Sequence, residues 1–291
     1  MTFSKNDAPI LIVMGQSNAH AHATRLPENE MIHEPLKNVH GLSRDFNQFY
    51  DLIDVTWSGF LSGGMNLGET QDDTCCLANV FARRWQNAID AGEELPDLYV
   101  IQISVGGQGI AEFEAHGWNM WYPMRELKLK PGPFGTCDIS LYQLSTEILS
   151  LAFMNLITAG KKPRVIGLHW NQWETEAFTG SKALNEAESN YKNLFWGFFT
   201  ALGSDEKGVG VPLYLYRPLS EDYSAERVQK LSNLFDSFAR YYADCRIIDP
   251  RDSGLYADTP KTHGIFKDDG VHYLPAVHRY FAKRQWDDLF L

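Results

Sequence analysis

Short apolar, β-branched runs alternate along this chain with longer segments of helical period, and that alternation limits the fold more than any other feature. The runs fall at residues 9–14, 98–105 (LYVIQISV), 164–170 (RVIGLHW), 211–216 (VPLYLY) and 246–248, the last followed by Asp249-Pro250. Each reads as a strand buried on both faces. Helices are expected at 74–91, 140–159, 183–202, 225–242 and 275–289. In 225–242 the apolar residues Val228, Leu231, Leu234, Phe235 and Phe238 recur at threes and fours and mark one buried stripe. Strict alternation of five strands with about five helices predicts a three-layer, doubly wound, flavodoxin-like α/β sandwich with a five-stranded parallel sheet. One domain over 1–291 accounts for the length, with 41–73 and 116–138 as long loops over the site. Ligands bind such sheets at the carboxyl ends of the strands, so the chemistry is expected there.

Composition removes several classes of function. The 26 Lys+Arg against 37 Asp+Glu leave a net charge of −11 spread along the chain, which excludes a nucleic-acid or anionic-membrane partner because nothing neutralises phosphates in quantity. No apolar stretch approaches the ~20 residues a membrane helix needs. The run at 10–14 is too short for a secretory signal, so a cytoplasmic location is the default expectation. Cys75, Cys76, Cys137 and Cys245 have neither metal-ligand nor disulfide-scaffold spacing and read as buried or half-buried thiols. Oligomeric state is left open.

The residues after each strand carry the chemistry. Gly15-Gln16-Ser17-Asn18 follows the first strand, where a serine hydroxyl would stand above the sheet with its own N–H near a helix start. Taken alone, such a serine reads as an N-cap. Gly106-Gly107-Gln108-Gly109 follows the second strand, and glycines let backbone N–H groups approach a ligand oxygen. Trp170-Asn171-Gln172-Trp173-Glu174-Thr175-Glu176, with two side-chain amides and two carboxylates, stands at the end of the third, and Asp269-Gly270-Val271-His272 precedes the last helix. A serine that attacks a carbonyl needs a base that titrates near neutrality, and the imidazole needs a carboxylate on its other nitrogen. Ser17, His272 and Asp269 meet those needs if the turn before His272 folds back. The oxyanion would then take the Ser17 N–H, an N–H from Gly106 or Gly107, and a carboxamide from Gln172 or Asn171.

These blocks resemble the SGNH/GDSL hydrolase superfamily, and within it the sialate O-acetylesterase-like and acetylxylan-esterase-like carbohydrate esterases. That branch opens with Gly-Gln-Ser-Asn (Gly15 to Asn18), carries a Gly-Gly-Thr/Ser loop (Gly106-Gly107-Gln108) and a Gln-Gly-Glu segment (Gln172-Trp173-Glu174), and closes with Asp-x-x-His (Asp269, His272). The order is the family's and spans nearly the whole chain. Gln108 stands where a small hydroxyl residue is usual, and Trp173 replaces the glycine. The resemblance implies a serine esterase that removes O-acetyl or other short acyl groups from carbohydrates through an acyl-enzyme, with no metal or organic cofactor. It also makes Glu174 a rival to Asp269 as partner of His272, with Asp269 favoured by spacing.

Gln16, Asn18, Gln108, Trp118, Trp121 and Trp173 are expected to touch substrate, the indoles by offering flat faces to a sugar ring; packing within the core is the plainer role for each aromatic. His20 and His22 point in different directions if helical and make no metal pair; His263 and His278 read as surface or half-buried residues and Asp268 as a solvated neighbour. Two other readings compete: a lipase or thioesterase with the same triad, and a non-catalytic flavodoxin-like module binding a nucleotide or sugar phosphate on Gly106 to Gly109. The second leaves Asp269 and His272 idle, and the loop matches no phosphate fingerprint.

Overall fold

A computed structural model of the chain describes residues 2–21, 27–43, 56–62, 65–68, 76–112, 120–123, 140–220, 222–255 and 264–291. Its strands are β1 (Asp7–Gly15), β2 (Val39–Ser43), β3 (Thr56–Gly59), β4 (Leu98–Ser104), β5 (Lys162–Asn171), β6 (Leu213–Tyr216) and β7 (Cys245–Ile248). The helices are α1 (Ser17–His20), α2 (Leu77–Asp90), α3 (Leu141–Thr158), α4 (Glu174–Thr179), α5 (Ser181–Ala201), α6 (Ala225–Tyr241) and α7 (Pro275–Phe290). They form a seven-stranded sheet in the order β3-β2-β4-β1-β5-β6-β7, parallel except where β3 pairs with β2.

The five expected strands and five expected helices are present, but the sheet has seven strands rather than five. The two additions, β2 and β3, lie in or at the edge of the stretch read as a loop. β2 (VHGLS) and β3 (TWSG) are short and interrupted by glycine and serine, so neither carries an apolar run. β2 adds to the sheet by pairing in parallel with β4, and β3 pairs antiparallel with β2 as the edge strand, whose wet face needs little hydrophobicity.

The central strand explains the layering. Every residue of β1 is buried, and the period of two sends Ile10, Ile12 and Met14 to one face and Leu11 and Val13 to the other. The first face packs under α3, α5 and α6, with Leu149, Phe195, Phe198 and Phe235 among its members. The second packs under α2 and α7 through Phe81, Trp85, Val277 and Phe281. α2 therefore leads into β4 on one face, and α3 leads out to β5 on the other. The winding reverses beside β1, opening a crevice at the carboxyl ends of β1, β4 and β5 where such folds take ligands.

Candidate active site

The turn after β1 depends on a residue without a Cβ. Gly15 has φ +138°, and a Cβ there would lie 2.2 Å from the Asn171 carbonyl oxygen, so only glycine lets β1 and β5 end this close. The Gln16 N–H then donates to that carbonyl at 3.2 Å, and the chain turns into α1 with Ser17 as its first residue. Gln16 rather than Ser17 occupies the N-cap position, so the serine hydroxyl is not needed to cap the helix. At the first helical position the Ser17 N–H has no preceding helical carbonyl to bond.

Both neighbours of Ser17 turn inward onto one buried acid. Gln16 Nε2 donates to Glu174 Oε2 at 2.5 Å and Asn18 Nδ2 to Glu174 Oε1 at 2.6 Å, while the Trp173 N–H donates to Oε2 at 3.0 Å. Thr175 Oγ1 donates to Gln16 Oε1 at 2.7 Å. Burial pushes the Glu174 carboxyl above its ordinary range, opposed by the hydrogen bond from Asn18. Gln16 and Asn18, expected to touch substrate, are instead buried braces of the serine turn.

The histidine turn is folded by Asp269. Its Oδ1 accepts from the Val271 and His272 N–H groups at 3.0 and 2.9 Å, and its Oδ2 lies 2.8 Å from His272 Nδ1. Partial burial would raise the Asp269 carboxyl, but these bonds outweigh it and hold the group below its ordinary range. An ionised carboxylate only accepts, so Nδ1 carries the proton of this bond. Asn18 joins this turn to the serine turn: its Nδ2 donates to the Val271 carbonyl at 3.0 Å and its Oδ1 accepts the Tyr273 N–H at 3.1 Å. The residue after Ser17 is thereby bonded on both sides of His272, across about 250 residues of chain. Between the two candidate acids, the hydrogen bond to His272 Nδ1 belongs to Asp269, and Glu174 bonds the serine turn.

The glycine loop after β4 is held from inside. Gly107 has φ +69°. Gln108 is buried, accepting the Met120 N–H at 3.2 Å and donating to the Gly106 carbonyl at 3.5 Å, so its amide braces the loop and does not face a substrate. The Trp121 N–H donates to the Gly109 carbonyl at 3.1 Å and its indole N–H to the Gly15 carbonyl at 3.0 Å. That indole is fully buried, edge-on to Trp170 at 4.9 Å. Trp173 is buried too, edge-on to Tyr223 at 5.7 Å. Trp121 and Trp173 are therefore struts of the site and not platforms for a sugar ring, because both rings are buried against other aromatic side chains. Trp118 lies outside the described residues.

Gln172 also departs from expectation. Its Nε2 donates to Glu176 Oε2 and its Oε1 accepts from the Tyr191 hydroxyl at 2.9 Å, which orients the carboxamide within the core and not toward an oxyanion. Asn171 is buried and donates to the Asn18 carbonyl at 3.3 Å, another tie to the serine turn. The sequence marks Glu176 only as the second carboxylate of the segment after β5, without a role, and gives no sign of Tyr191. Glu176 is fully buried, and burial lifts its carboxyl to about 7 against hydrogen bonds from Ile110 and Gln172. In the sequence it stands two residues after Glu174, a spacing that exposed helices carry as well, so its burial is not encoded locally.

His20 ends α1 buried, its Nδ1 3.0 Å from Ser104 Oγ. His278 is not half-exposed but buried within α7, and its pKa falls to about 3 through burial. Asp268 is exposed, and His22 and His263 lie outside the described residues. Among the described residues no group of three or more His, Cys, Asp or Glu could hold a metal ion, and no helix is long and apolar enough to cross a membrane.

Comparison with solved structures places the fold in a known architecture. A protein from Arabidopsis thaliana superposes with a TM-score of 0.60 at 14% identity, covering 97% of this chain and 98% of its own. NanS does so at 0.60 and 13% identity, covering 99% of this chain and 98% of its own. The likeness is one of fold. A Corynascus thermopiles carbohydrate esterase family 2 enzyme with a carbohydrate-binding domain matches more distantly, with a TM-score of 0.45 at 13% identity over 100% of this chain and 69% of that one. No family model and no curated protein sequence matches the chain.

Proposed function

We propose that this chain is a serine esterase of the SGNH type that removes acetyl or other short acyl groups from carbohydrates. The observation that carries the proposal is the Asn18 clasp, which binds the Asp269–His272 pair to the turn that presents Ser17. In this reading Ser17 attacks the ester carbonyl while His272 Nε2 takes its proton, and Asp269 holds the imidazole in the required tautomer and stabilises its charged form. The Ser17 and Gly107 N–H groups receive the oxyanion. His272 returns the proton to the departing sugar oxygen, and water, activated by the same imidazole, releases the acid from Ser17.

One line supports the substrate class: the Gly-Gln-Ser-Asn and Asp-x-x-His blocks, with the Gln172-Trp173-Glu174 segment between them, resemble those of carbohydrate esterases. The buried Trp121 and Trp173 lend no sugar platform, so preference for a sugar must come from residues farther out. The test is turnover of p-nitrophenyl acetate and of acetylated xylose, followed by acetate release, in the wild type and in Ser17→Ala. The wild type should turn over both and the variant neither, with unchanged circular dichroism. Turnover by Ser17→Ala, or none by the wild type, refutes the proposal. Aryl esters of increasing chain length separate this reading from a lipase, because rates should fall beyond the shortest acyl groups.

A further inference from the structure

The chemistry above makes no use of Glu176, yet this fully buried acid joins three parts of the site. Its Oε1 accepts the Ile110 N–H at 2.8 Å, and its Oε2 accepts from Gln172 Nε2 and, at 3.4 Å, from the Tyr191 hydroxyl. The donors come from the loop after β4, the turn after β5, and α5. Leu or Met would fill the same volume without the penalty of burying a polar group, so packing alone does not account for an acid here.

The bond to Ile110 matters because of what precedes it. Gly106 and Gly107 have no side chains to fix their direction, so the ends of their loop do so. At the near end the Val105 N–H reaches the Gly15 carbonyl at 3.4 Å. At the far end the Ile110 N–H is held by Glu176 and the Gly109 carbonyl by the Trp121 N–H. α4, six residues long, thus carries one acid for each half of the site: Glu174 holds the serine turn and Glu176 holds the glycine loop.

We propose that Glu176 is a positioning residue that sets the Gly106–Gly107 amides in place for the oxyanion by anchoring Ile110 to the Gln172 turn. The proposal rests on the esterase reading. Losing one oxyanion donor lowers kcat by about 10²–10³-fold, and loosening the loop that holds it should approach the lower figure.

The experiment measures kcat and KM for p-nitrophenyl acetate in the wild type, Ser17→Ala, Glu176→Leu and Glu176→Asp, with near-ultraviolet circular dichroism as the check on folding. Glu176→Asp keeps a carboxyl and withdraws it by one methylene, so it decides the matter if Glu176→Leu does not fold. A kcat lower by about 10²-fold, the lower figure for a lost donor, with KM nearly unchanged supports the proposal; a loss nearer to none than to that figure, or one carried in KM, overturns it. In the wild type the Ile110 amide should exchange slowly although it lies in a loop, and exchange at the rate of a free loop amide overturns it as well. An inactive wild type or an active Ser17→Ala sinks the esterase reading itself. An active wild type, an inactive Ser17→Ala and a fully active Glu176 variant sink the positioning role alone.

Discussion

Replacing Glu176 by Gln isolates what it costs to keep a carboxyl in the core behind the site. The shapes are nearly the same, and Gln still offers an oxygen to the Ile110 N–H, so any change that varies with pH comes from ionisation. Burial raises the carboxyl from its ordinary 4.5 to about 7. Between those values the folded protein keeps a proton that the unfolded chain has lost. Stability therefore falls as pH rises from 4.5 through about 7 and is level above that. At 1.36 kcal/mol per pH unit the fall is roughly 3 kcal/mol. Glu176→Gln lacks this fall, so its stability relative to wild type should improve by about that amount between pH 4.5 and pH 8. Glu174, the other buried acid on α4, is present in both proteins and largely cancels in the difference. Urea unfolding at several pH values, with equal denaturant dependence in the two proteins, measures it. A difference that stays constant from pH 4.5 to 8 would show that Glu176 ionises as freely in the fold as in water and would refute the reasoning.

Three further outcomes follow from the same geometry. Asp269→Asn should leave the protein folded but lower kcat by about 10³-fold or more, because an amide favours the wrong His272 tautomer; kcat for aryl acetate hydrolysis reads this directly. Gly15→Ala should destabilise the fold by more than about 2 kcal/mol and lower turnover, since its Cβ would meet the Asn171 carbonyl at 2.2 Å, and thermal unfolding checks it. His278 stays neutral in the fold with a pKa of about 3, against 6.5 ordinarily, so the unfolded chain takes up its proton first on acidification. Wild-type stability relative to His278→Leu should therefore fall by about 1.4 kcal/mol per pH unit below pH 6.5, and a flat difference from pH 7 to 4 would contradict it.

The central layers were legible in the sequence because their signal is local. Buried parallel strands such as LYVIQIS must be apolar on both faces, and helices such as Ala225–Tyr241 must repeat their apolar residues at threes and fours, so neighbours along the chain report them. Ser17, Asp269 and His272 could be singled out for a similar reason: the first follows a strand directly, and the other two sit three residues apart in one turn. The short strands β2 and β3 escaped because pairing with their neighbours in the sheet, not hydrophobic pattern, makes them strands.

The amino-acid order by itself determined a doubly wound α/β chain with a serine at the end of its first strand and an Asp-x-x-His turn before its last helix. Only the tertiary structure decided which polar groups face each other. It turned Gln16, Asn18 and Gln172 inward onto Glu174 and Glu176, and it closed the core with Trp121 and Trp173. A hydrogen bond between residues some 250 positions apart, such as that from the Tyr273 N–H to Asn18, depends on where the whole sheet carries its strand ends, and no local spacing encodes it.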